Sequence, residues 1–169
     1  MRIGIITNKF APSGGMERYA QDVVSSCFTM KVLRQGHEIT VFTKKADPAL
    51  DLVPMVELIV CPLSFLPNKI QDESFNWWLN RECPKHALDF ILSCSRTDAG
   101  DVVACGGTHI GFLHDAGRTP TFFDRRAIRL ETRSFERAKL IIAHSQKMAG
   151  EIEDYYGIPG EKIRVIYPP

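Results

Sequence analysis

The chain has 169 residues, 44% hydrophobic and 24% charged, with a formal net charge of +1. That suffices for one well-buried domain, is short for two, and leaves no nucleic-acid footprint on the molecule as a whole. No apolar run approaches the roughly 20 residues that span a bilayer, and the start, MRIGIITNKF, lacks a signal peptide's apolar region and cleavage site, so a cytoplasmic location is expected.

In chain order, the first predicted strand covers residues 2–7, followed by a loop to Gly15 and a helix from about residue 16 to 34. Ala20, Val23, Val24, Cys27 and Phe28 recur at helical spacing as one buried stripe, and Gly36 supplies a positive-φ position just past the end. HEITVFT is the second strand, closing a β–α–β crossover, and VELIVCPL is the third. Residues 74–94, SFNWWLNRECPKHALDFILSC, are expected to be helical, with Pro84 kinking the helix or starting a second one. Within them Phe75, Trp78 and Leu79 form a core set with Trp77 alongside; exposed instead, the two tryptophans would suit an interfacial contact. DVVACGG is the fourth predicted strand, residues 121–137 a charged helix, and KLIIAHS the fifth strand. Ser145 then caps a helix whose Met148, Ile152, Tyr155 and Tyr156 share a face and which Gly157 and Pro159 stop; EKIRVIYPP is the sixth strand.

Strands alternating with helices, several of them wholly apolar, specify an α/β fold, a doubly wound parallel sheet with both faces covered. Ligands bind such sheets beyond the carboxyl ends of the strands, which here carry Asn8 to Gly15, Gly106 to His109, and Ser145. The patterns G-x-G-x-x-G and G-x-x-x-x-G-K-[ST] are both absent, and strand two ends in Thr43, Lys44 and Lys45 rather than an acid, which argues against a dehydrogenase. A response regulator needs acids where Asn8, Lys9, Phe10 and Pro62, Leu63, Ser64 stand. The five cysteines never form a C-x-x-C pair and are expected as free thiols in a reducing compartment; no metal site is expected.

Three stretches, FAPSGGMERY, RQGHEITVFT and ERAKLIIAHSQKMAGEIEDYYGIPGEKIRVIYPP, occur in the order of a known family. Together they resemble the N-terminal domain of a family 4 retaining glycosyltransferase. The resemblance implies a Rossmann-like domain over residues 1–169, one half of a GT-B architecture. It further implies an acceptor-side role in moving a sugar from a nucleotide-sugar to a glycan, lipopolysaccharide or lipid-linked acceptor. The donor-binding domain with its E-x7-E signature is not in this sequence, so the chain is expected to be an N-terminal half, inactive alone. No metal or cofactor is expected, since no D-x-D-like carboxylate pair is placed to hold Mg²⁺ at a diphosphate. A non-catalytic nucleotide- or phosphate-binding module of the same fold is the alternative.

The resemblance also implies site residues. Gly14 and Gly15 would let the backbone approach the donor diphosphate or transferred sugar at a helix N-terminus, where the bare alternative is a turn needing positive φ. Glu17 and Arg18 follow in the first turn, as ligands or as a surface pair. His109, after Gly106, Gly107 and Thr108, is the candidate catalytic residue, because a neutral imidazole both donates to and accepts from sugar hydroxyls, and Thr108 beside it is a candidate donor- or acceptor-binding residue. His114 and Asp115 compete with it. Ser145 is best explained as a cap, and Lys147 could reach the cleft. Residues 118–139 hold seven basic side chains against Asp124, Glu131 and Glu136. Arg125, Arg129, Arg133 and Arg137 recur every fourth residue along one helical face. They are either a solvated face or a contact for an anionic acceptor or the inner face of the membrane.

Overall fold

The computed structural model describes residues 1–29, 36–63 and 65–168. Seven strands form one sheet: β1 (Arg2–Phe10), β2 (Glu38–Ala46), β3 (Glu57–Val60), β4 (Phe90–Ser93), β5 (Val102–Cys105), β6 (Leu140–Ala143) and β7 (Ile163–Val165). Their order is β3-β2-β1-β4-β5-β6-β7, and every pairing is parallel. The chain winds outward from β1 through β2 to β3, then returns to place β4 on the other side of β1 and winds away through β7. The gap between the ends of β1 and β4 is therefore the switch point of a doubly wound sheet.

Among the described residues five α-helices cover the faces: α1 (Gly15–Thr29), α2 (Asn68–Glu82), α3 (His109–Asp115), α4 (Phe122–Arg137) and α5 (Gln146–Tyr156). Because successive strand residues point to opposite faces, neighbours divide between two cores. Ile5 joins Ala20 and Val24 of α1, whereas Ile6 joins Phe42 and, from α2, Phe75 and Leu79. Farther along, Val103, Cys105 and Ile141 pack with Phe135 of α4 and Ile152 and Tyr156 of α5.

The helix ends follow from local chemistry. Thr121 and Asp124 form a reciprocal capping box at α4, and Ser145 accepts from the Met148 N–H at 3.2 Å to cap α5, a contribution of about 1 kcal/mol. Gly157 ends α5 at φ 66°, where a side chain would be strained. The predicted end of the first helix, residues 30–34, lies outside the described residues.

Four expectations are corrected. The expected helix over residues 74–94 is instead the end of α2, a 3-10 turn at Cys83–His86 with Pro84 in its first turn, and strand β4. Proline cannot donate the hydrogen bond that would continue α2, and an apolar run as short as FILS carries no periodicity to separate helix from strand. Strand β1 continues to Phe10 through its pairing with β2, so the first loop starts later than expected. Helix α3, which His109 opens, is not among the predicted elements, the next helix after the fourth predicted strand being expected only from residue 121. Tyr155 faces solvent instead of sharing the buried face of Ile152 and Tyr156. Of the expected core set on α2, Phe75 and Leu79 are buried and Trp78 stacks on Phe75 at 5.9 Å, while Trp77 is exposed under the Arg81 guanidinium. All five cysteines are free thiols.

Candidate functional site

A cavity of about 290 Å³ opens at the switch point. Gly15, Met16 and Glu17 of α1 form one wall, Ser95 and Arg96 after β4 another, and Gly106 after β5 a third. Gln21 holds the loop before α1 by donating to the carbonyls of Ala11 at 2.8 Å and Glu17 at 3.2 Å. Neither Gly14 nor Gly15 has positive φ. A Cβ added at Gly15 would meet nothing within 4 Å, and one at Gly14 would meet only the mobile end of Glu17. The turn therefore does not require these glycines; at Gly15 their effect is to leave the cavity wall bare. A Cβ at Gly106 would collide with the Met16 side chain, so the bare backbone there makes room for Met16 at the end of β5.

Beside the cavity lies a buried carboxylate. Glu131 of α4 is 3% exposed and accepts from Arg96 Nε at 2.8 Å through Oε1. Its Oε2 accepts from the His109 backbone N–H at 2.7 Å and from the Tyr156 hydroxyl. One side chain thus joins the β4–β5 loop, α3 and α5. Burial acts against the Arg96 charge, but the Glu131 carboxylate outweighs it and raises the Arg96 pKa; burial, then Glu131, raise the Tyr156 pKa. With Oε1 and Oε2 both engaged, Glu131 is a fixed scaffold for Arg96, whose terminal guanidinium nitrogens make no hydrogen bond among the described residues and feel the Asp72 carboxylate across the cavity.

The expected residues distribute unequally about this cavity. Gly15 and Glu17 line it. Arg18 is exposed and pairs loosely with Asp22 at 3.9 Å rather than with Glu17. His109 stands at the same sheet edge, but its Nε2 contacts Asp124 Oδ1 at 2.9 Å and its ring is not part of the cavity wall. Asp124 is held well below the usual carboxylate range, first by the Thr121 hydroxyl and backbone and then by His109. Thr108 caps α3 by accepting from the Gly111 N–H at 3.0 Å and donates to Glu151 at 2.5 Å. Lys147 binds Asp115 at 2.6 Å, tying α5 to the end of α3 and away from the cavity, and His114 is 3.8 Å from the same carboxylate group. Arg125, Arg129, Arg133 and Arg137 are all exposed on α4, with Arg133 and Arg137 at 3.7 and 3.3 Å from Asp98. Among the described residues no three His, Cys, Asp or Glu side chains converge to hold a metal ion, and no helix is long and apolar enough to cross a membrane.

A second recess, of about 600 Å³, runs from α1 to the end of β6 and is lined by Tyr19, His144 and Met148. His144 is buried against Tyr19 with ring centroids 4.5 Å apart, and its Nε2 has no hydrogen-bond partner among the described residues. Burial lowers its pKa.

The family model for glycosyltransferase family 4 matches residues 13–169. The chain belongs to glycosyltransferase family 4. A "Probable transglycosylase" of Burkholderia thailandensis is 39% identical over the whole of this family 4 chain, which spans 45% of that protein's length. Among solved structures, WaaG, a glycosyltransferase involved in lipopolysaccharide biosynthesis, superposes with a TM-score of 0.81 at 17% identity, over 97% of this chain and 44% of its own. A glycosyltransferase from Rickettsia africae gives 0.55 at 17% identity, over 98% and 42%. A sucrose-phosphate synthase structure from Thermosynechococcus elongatus gives 0.55 at 14% identity, over 100% and 90%. These structural likenesses are at the level of fold, that of one half of a GT-B glycosyltransferase.

The sequence reading missed Arg96, Glu131 and Tyr156. Glu131 sits among arginines in a charged helix and reads as one of their surface partners, so no local pattern marks it as buried.

Proposed function

We propose that this chain is the acceptor-side half of a retaining GT-B glycosyltransferase, working with a donor-binding domain that follows it in the whole protein. The reaction transfers a sugar from a nucleotide-sugar donor to a glycan or lipid-linked acceptor. The observation that carries the reading is the bare-walled cavity at the switch point of a family 4 chain. Gly15, just after Gly14, leaves the wall open for the donor diphosphate or transferred sugar to approach the α1 N-terminus, whose dipole favours negative charge. Glu17 accepts from acceptor hydroxyls, and Arg96, oriented by Glu131, donates to them. His109 offers Nδ1 from the rim, its Nε2 being taken by Asp124. Thr108, Ser145 and Lys147 position α3 and α5, the elements that build that rim. The nucleotide-sugar is a substrate, and the reading invokes no cofactor. Most electrostatic stabilisation of the leaving diphosphate falls to the donor-binding domain. Arg125, Arg129, Arg133 and Arg137 give α4 an exposed cationic face toward a phosphorylated acceptor or an anionic inner membrane surface.

Isothermal calorimetry of this chain with UDP- and GDP-hexoses tests the division of labour. No saturable donor binding at micromolar concentration is expected. Saturable binding in that range would overturn it in favour of a self-contained nucleotide-binding module.

A further inference from the structure

Outside the cavity, two surface features meet at one residue. An apolar groove of about 640 Å³ lies along α2, lined by Leu63, Phe65, Leu66, Trp77 and Trp78. Phe65 is 77% and Trp77 57% exposed, apolar area that a soluble surface seldom leaves contiguous. Beside it is a basic recess of about 340 Å³ formed by Phe122, Arg126, Arg129 and Arg133 of α4. Glu73 lines both. Its carboxylate accepts from Arg126 Nε at 2.7 Å, which neutralises that arginine and ties α2 to α4 at the seam. Arg129 has no carboxylate partner among the described residues, and Arg133 is only loosely paired with Asp98 at 3.7 Å, so the recess keeps a positive balance. Asp72, the residue before Glu73, lines the switch-point cavity. Cavity and groove thus lie on adjoining faces of the same helix.

We propose that groove and recess together bind a single-chain amphiphile with a phosphate head group, the hydrocarbon in the groove and the phosphate on Arg129 and Arg133. The apolar trough alone would accept many partners; the unneutralised arginines at its end select an anionic head. A planar guanidinium suits a phosphate because it donates through two parallel N–H groups. This rests on the acceptor-side reading above and narrows it, placing the acceptor among lipid-linked phosphates with its sugar directed toward the cavity.

Trp77 and Trp78 are the chain's two tryptophans, so intrinsic emission reports on the groove. The probe is dodecyl phosphate below its micelle concentration, with inorganic phosphate and dodecyl maltoside as controls. A saturable blue shift with dodecyl phosphate is expected, none with inorganic phosphate, and weaker binding with the maltoside. Adding salt, or the exposed double substitution Arg129→Gln and Arg133→Gln, should weaken dodecyl phosphate binding about tenfold or more. Trp77→Ala should weaken it too, with Trp78 still reporting and the melting temperature retained. An absent shift, or one indifferent to the arginines, overturns the proposal. So does binding to phosphatidylglycerol vesicles without binding to the monomer, which would make the surface a bilayer contact instead. The titration uses no donor, so its failure leaves the transferase reading to the calorimetric test.

Discussion

Replacing Glu131 with alanine removes one acceptor from three donors on three elements: Arg96 Nε, the His109 N–H and the Tyr156 hydroxyl. Each buried donor left without a partner costs about 1–3 kcal/mol, and breaking a fully buried ion pair about 3–5 kcal/mol. The Arg96 side chain is 36% exposed and borders the cavity, so water can solvate its orphaned charge and the low end applies. A loss of about 3 kcal/mol is expected, which for a domain of this size lowers the melting temperature by about 6–12 °C. Glu131→Gln keeps an oxygen for His109 and Tyr156 and should cost less, about 1–2 kcal/mol. Thermal unfolding followed by circular dichroism measures both. The double variant Arg96→Met with Glu131→Met should recover part of the loss, because it removes the unpaired charge together with its partner. A shift below about 2 °C for Glu131→Ala, or strict additivity in the double variant, would refute the scaffold role.

Two further outcomes follow from burial. The folded-state pKa of His144 lies below its ordinary value of 6.5, so the unfolded chain takes up that proton first as pH falls. Its contribution to stability is therefore lost as pH falls through about 6.5 and levels off below the folded-state value; denaturant unfolding between pH 8 and 5 should show a shallower pH slope in His144→Phe than in the parent. Burial also pushes Cys61 up to about 11 and Cys83, Cys94 and Cys105 up to about 12, suppressing the thiolate that attacks disulfide reagents. The native chain should leave these four unreacted with Ellman's reagent over minutes, Cys27 reacting slowly, and denaturant should release all five; rapid native reaction of two or more would contradict the packing.

The alternation of apolar strands with amphipathic helices made the doubly wound sheet legible in the sequence, because that period is set locally. Gly36 and Gly157 marked their turns for the same reason, and Ser145 its helix start. Strand β4 was not legible. FILS becomes a strand only because β1 and β5 offer it edges, which is information held in residues far along the chain. The site divides in the same way. Gly15 and Glu17 could be found from a glycine pair before a helix, a contiguous signal. Arg96, Glu131 and Tyr156 are brought together by three separate elements, and each alone resembles an ordinary surface or core residue. His109 illustrates the converse: its position at the correct sheet edge could be read, whereas the turn of its ring toward Asp124 depends on where α4 packs.

The order of the strands also bears on how the molecule is made. Strand β1 lies in the interior of the sheet, with Ile3 paired to Ile39 on one side and to Phe90 on the other. During translation the first partner emerges early and the second much later, several seconds at about 5–20 residues per second. Through that interval β1, whose Ile3, Ile5 and Ile6 are destined for the interior of the sheet, presents an open hydrogen-bonding edge, the kind of surface that pairs with a neighbouring polypeptide. Slower elongation between residues 46 and 90 prolongs that exposure, so synonymous codon choice in this window should alter the soluble yield more than the same changes placed after residue 105.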